Sequence, residues 1–147
     1  MVEIILKDNI LIAIIVPRNF KADGVHFFTP ENLSQQLAYI RHPGGKLIEP
    51  HVHSLVKREV QYTQEVLFIK KGKLRVDIFD DQQKYIKSRI LETGDVLFLA
   101  SGGHGFEVIE EVEMIEVKQG PYAGDSDKRR FKGVDPSHLV VNRNDND

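Results

Sequence analysis

The sequence predicts an all-β domain, an antiparallel sandwich or barrel, and three observations carry that reading. Short apolar runs recur along the chain, residues with turn chemistry divide them, and no long 3.6-residue periodicity appears. About eight to eleven such runs at regular spacing are the pattern of a sandwich or barrel. Length and composition agree with one folded unit: 147 residues, 41% hydrophobic and 29% charged. Folding at this size removes roughly two-thirds of the surface of the unfolded chain, so a core forms without covalent staples.

Val2–Lys7 and Ile10–Val16 read as two strands joined through Asp8-Asn9. Val25–Phe28 is a third short strand. Thr29-Pro30-Glu31 carries a helix-start signature, a capping hydroxyl followed by proline at the first helical position, and predicts a helix of a turn or two. Leu37–Arg41, a break at Pro43-Gly44-Gly45 and the run Lys46–His53 follow. The clearest alternation is Val60–Ile69, with Val60, Tyr62, Gln64, Val66 and Phe68 on one face and Gln61, Thr63, Glu65, Leu67 and Ile69 on the other. Lys71-Gly72 reads as the end of that strand. In the next, Leu74, Val76 and Ile78 alternate with Arg75 and Asp77. After a turn at Asp80–Gln83 come Tyr85–Leu91, Asp95–Leu99, Gly105–Ile109 and Val112–Gln119. Beyond Gly120-Pro121 the pattern fails. Asp125–Lys132 is a charge cluster that reads as a solvated face, and 136–147 reads as a disordered polar tail to a single domain at 1–135.

Several function classes are excluded at this stage. With no cysteine there are no disulfides, thiolate metal sites, iron–sulfur clusters or cysteine nucleophiles, and the composition suits the cytoplasm. Twenty basic and 22 acidic residues give a net charge of -2, which builds no positive field for nucleic acid. The apolar run Ile10–Val16 falls far short of the ~20 residues a membrane span needs. Glu3 ahead of any basic residue and the interruption at Lys7-Asp8-Asn9 argue against a signal peptide. There is no G-x-S-x-G elbow, and no helix pattern follows Gly102–Gly105 to make it a phosphate loop.

The chemistry-bearing residues centre on histidine. Of six, His51 and His53 are two apart, and on a strand that spacing aims both imidazoles at one point. About one chain in four of this composition has such a pair by chance, so the surroundings decide its meaning. Five residues lie between Gly45 and His51, six between Glu65 and Gly72, and Gly94 leads through Ala100-Ser101-Gly102-Gly103 into His104. His26, His42 and His138 read as an ordinary strand residue, a loop residue and a solvated residue. Tyr39, Tyr62 and Tyr122 are candidate pocket walls or general acids. Lys118 with Gln119, and Lys128-Arg129-Arg130, could meet an anionic substrate.

This arrangement resembles the cupin superfamily, with its signatures G-x5-H-x-H-x3or4-E-x6-G and G-x5-P-x-G-x2-H-x3-N, over Gly45 to about Lys118. The resemblance implies a jelly-roll barrel holding one divalent metal through His51, His53, Glu65 and His104. Eleven residues separate His53 from Glu65 where the family has three or four, so Ser54–Gln64 reads as an insertion at the barrel mouth. It contains Glu59, a rival carboxylate ligand; Glu65 alone keeps the six-residue spacing to Gly72. In the second signature Ala100 takes the proline slot, one residue rather than two separates Gly102 from His104, and Val108 takes the asparagine slot. Imidazoles with one carboxylate suit Fe, Mn, Ni, Zn or Cu. The resemblance also implies a homodimer with the Val2–Val16 strands as its added edges. Two functions follow. One is a metalloenzyme on a sugar-like hydroxy-carbonyl compound, isomerase or epimerase before dioxygenase, with Tyr39, His42, Glu59 and Lys118 as candidate catalytic groups. The other is a non-catalytic module binding a carbohydrate or small acid.

Overall fold

The structure, a computed structural model, describes residues 1–141. It is all-β: eight strands and two short 3-10 turns, with no α-helix among the described residues. No helix there is long and apolar enough to cross a membrane. The strands are β1 (Glu3–Lys7), β2 (Ile10–Val16), β3 (Gly24–Phe27), β4 (Ala38–Arg41), β5 (Glu65–Phe79), β6 (Tyr85–Glu92), β7 (Val96–Leu99) and β8 (Gly103–Lys118). One antiparallel sheet runs β1-β2-β7-β5-β6, with β8 on the remaining edge of β5; β3 and β4 form a separate hairpin.

The long β5–β8 ladder shapes the molecule. Glu65 and Ile78, thirteen positions apart on β5, would lie roughly 43 Å apart on a straight strand. Yet Glu65 touches His104, the cross-strand partner of Ile78. The ladder therefore doubles back on itself, and the sheet curls into a half-barrel. The bend falls at Gly72, where the register shifts between Ile69 and Leu74. Gly72 has φ of 90°, and a Cβ there would lie 1.9 Å from the Glu111 carbonyl oxygen, so only glycine fits. This corrects two expectations. Lys71-Gly72 does not end a strand, because a left-handed glycine bends the ladder without breaking it. The runs Gly105–Ile109 and Val112–Gln119 are likewise one strand across the same bulge.

The curl encloses a core of Ile5, Ile12, Leu67, Ile69, Leu74, Val76, Ile78, Leu91, Leu97 and Leu99. A second cluster lies on the other side, where Ile14, Val16, Phe98 and Ala100 pack against Phe20, Phe28, Leu33 and Leu37. The expected helix after Thr29 does not form. The Thr29 hydroxyl donates to Gln36 Oε1 (2.8 Å) and accepts from the Leu37 N–H (3.1 Å), so it ties off a turn instead of capping a helix. Opposite β8 the curl is fastened by an ion pair, for Arg89 on β6 donates to both carboxylate oxygens of Glu3 on β1 at 2.7 and 2.6 Å.

The chain from 42 to 64 has no secondary structure and is exposed almost throughout, Gln64 excepted. Two strand expectations fail here, Lys46–His53 and the first half of Val60–Ile69, since β5 begins only at Glu65. Alternation is not enough without a neighbouring strand to complete the backbone hydrogen bonds. The stretch expected as a tail starts with a 3-10 turn at Pro136–His138, and the Val140 N–H donates to the Tyr85 hydroxyl at 2.9 Å. The rest of that stretch, 142–147, which the sequence predicts to be disordered, lies outside the described residues.

Candidate functional site

Glu65, Leu67 and Ile69 face the interior of the half-barrel, as do Leu74, Val76 and Ile78 beyond the bend. Cross-strand partners share a face. Lys118, opposite Glu65, and His104, opposite Ile78, therefore also face inward. Because the ladder doubles back, its two ends meet at one mouth. There His104 Nε2 lies 3.2 Å from Glu65 Oε2, with the Glu65 side chain 9% and the imidazole 30% exposed.

The hydrogen bond from His104 is the largest influence on Glu65 and lowers its pKa below the ordinary carboxylate value. Burial works in the opposite direction, and the charges of His104, Lys118 and Lys128 lower it further. Lys118 Nζ lies 5.6 Å from the centre of the Tyr122 ring and 3.8 Å from Glu116. Beyond Tyr122 the chain returns past the mouth. Thr63 Oγ1 is 3.4 Å from the Asp127 carboxylate, and Phe131 stacks edge-on against Phe79 at 5.0 Å, beside Gly103. Sequence reasoning missed Thr63, Asp127 and Phe131. Their only signal was the 125–132 charge cluster, which reads as solvated surface.

The other candidate residues are elsewhere. His51 and His53 lie side by side, ring centres 5.2 Å apart, but on the exposed 42–64 segment and not on a strand. His42 and Glu59 are exposed on the same segment. Tyr39, on β4, packs edge-on against Phe20 at 5.2 Å in an aromatic group with His26 and Phe28, away from Glu65. Among the described residues no three histidine, aspartate or glutamate side chains converge as a ligand set. The pair alone has suitable dimensions. Two donors each about 2.1 Å from a shared ion lie about 3.0 Å apart at an octahedral corner and about 3.4 Å apart in a tetrahedron. The observed 3.2 Å falls between these.

Comparison with known protein families, with curated proteins and with solved structures finds no match for this chain.

Proposed function

We propose that the chain is a metal-binding protein of cupin type, in which the half-barrel is the greater part of a jelly roll and Glu65 with His104 forms half of a divalent metal site. The observation that carries this reading is the meeting of those two side chains from opposite ends of the β5–β8 ladder. His51 and His53 supply the other half when the segment 42–64 closes over the mouth. Its end is already anchored there, the Gln64 N–H donating to Gln119 Oε1, and the eleven residues between His53 and Glu65 give ample reach.

Surface area supports closure. A folded 16.8 kDa monomer exposes roughly 7,700 Å², whereas this chain exposes 10,814 Å². Six residues of unfolded chain, as many as lie beyond 141, account for at most about 1,000 Å² of the difference. The segment carries much of the rest, with Leu47, Ile48, Val52, Leu55 and Val56 all exposed.

A bound divalent ion supplies the Lewis acidity that stabilises an oxyanion on a hydroxy-carbonyl compound. The chain holds that ion through Glu65 and His104, and His42 or Glu59, carried by the closing segment, moves a proton between adjacent carbons as an isomerase requires. Tyr39 packs against Phe20 in the aromatic group of the β3–β4 hairpin, which leaves it out of this scheme and favours, as a second reading, a binding module without a resident base. The reading includes a homodimer along β1, whose Ile4 and Leu6 are 56% and 53% exposed.

Elemental analysis of purified protein tests the site: about one divalent transition metal per chain is expected, lost in His51→Ala/His53→Ala. Added metal should also slow tryptic cleavage after Lys57 and Arg58 in the wild type and not in the variant. Full metal content in the double variant overturns the assignment.

A further inference from the structure

We infer that the mouth beside Glu65 and His104 takes an anionic substituent of its ligand, a carboxylate or a phosphate, between Lys118 and Lys128. The inference deepens the proposed function and takes from it the identity of the site, but its claim concerns charge and does not require a metal.

Lys118 is the better defined of the two. It faces inward directly across from Glu65, its side chain is 18% exposed, and Tyr122 lies along its ammonium group. Its ion-pair partner is Glu116, at 3.8 Å and 43% exposed. Lys128 arrives from a distant part of the chain. The Thr63–Asp127 hydrogen bond and the seating of Phe131 against Phe79 fix the segment on either side of it. Both lysines are close enough to Glu65 to lower its pKa.

The charge count leaves room for an anion. Glu65 holds His104, Lys118 pairs with the exposed Glu116 at 3.8 Å, and Asp127 is turned to Thr63. Among the described residues Lys118 thus has the exposed Glu116 as its ion-pair partner and Lys128 has none. The partly buried Lys118 ammonium is poorly screened and gains most from an anion of the ligand, to which the exposed Lys128 adds a weaker, solvent-screened attraction. Lysine is a point charge without the planar fork of arginine, so it accepts carboxylate and phosphate alike. Glu65 is then a competitor for the site, and its removal should strengthen anion binding.

That competition makes the test independent of metal. The metal-free, isotope-labelled full chain is titrated with inorganic phosphate and separately with acetate, with sodium chloride as the control, and amide resonances are followed. Saturable shifts are expected at residues 63–65, 117–122 and 127–131. Glu65→Gln should tighten binding about fivefold, and Lys118→Met or Lys128→Met should weaken it by a similar factor. Lys118→Arg, which keeps the charge, should bind as the wild type does and so separates lost charge from lost fold. A response to phosphate alone assigns a phosphate and a response to acetate alone a carboxylate. Shifts that do not saturate, that chloride reproduces, or that survive both lysine substitutions overturn the inference. A chain that binds phosphate in this way but retains no metal sinks the metal reading and leaves the anion site standing.

Discussion

Where β1 meets β6, Arg89 grips Glu3 with two hydrogen bonds and keeps 6% of its side chain exposed; where β8 ends the sheet, Phe106, Val108 and Met114 face inward yet stay 38%, 57% and 39% exposed. The first flank is fastened and its strands pack on a common core. The second has a free edge among the described residues, bordered by the glutamates 107, 110, 111, 113 and 116, a charged row that discourages edge-to-edge aggregation. Leu74 and Val108 show the contrast in one pair. They are directly opposed in the ladder, but Leu74 is fully buried and Val108 more than half exposed. Stability is concentrated on the fastened flank, and the candidate chemistry lies on the open one.

The sharpest test compares those two residues. Leu74→Ala should cost about 3 kcal/mol in urea unfolding, the usual toll of a core cavity, and Val108→Ala less than about 0.5 kcal/mol. Equal losses would mean that β8 is covered in solution, and the contrast between the flanks would fail. Next in size, Arg89→Met should cost about 2–3 kcal/mol by leaving the partly buried Glu3 with only Lys87, at 3.5 Å. A smaller effect than that of Arg89 belongs to Glu92, whose carboxyl is held below its ordinary value of 4.5 by hydrogen bonds from Arg18 and Lys73. A depressed carboxylate stabilises the fold above its unfolded pKa, and that contribution is lost as pH falls through the folded one. Glu92→Gln should therefore cost up to about 1 kcal/mol at neutral pH, a modest figure for a side chain open to solvent. The difference between the two proteins should close on acidification below 4.5.

Most of the fastened flank was legible in the sequence, because burial on one face leaves a period of two: Leu74, Val76 and Ile78 against Arg75 and Asp77 mark the inside of β5 directly. The Arg89–Glu3 clasp was not, since an ion pair 86 residues apart has no local pattern. The open flank misled in the opposite sense. Val60 and Tyr62 alternate as strand residues do, but alternation records a preference for one face and cannot supply the missing neighbour. Of the candidate site, Glu65 was singled out by its spacing to Gly72, and His104 by the glycines before it. Their contact could not be read, because it depends on the ladder doubling back at a glycine that in sequence looks like a terminator.

That doubled ladder also sets the cost of closing each of its ends. Phe79 and Gly103, at its near end, lie 24 positions apart in sequence, and Glu65 and Lys118, at its far end, 53 apart. Closing the longer loop first costs about 0.7 kcal/mol more chain entropy. Along this ladder, pairing that starts at Phe79–Gly103 and runs through the kink at Gly72 is therefore the cheaper direction, while Glu65 is also drawn to the mouth by its pairing with Leu99 on β7, 34 positions away.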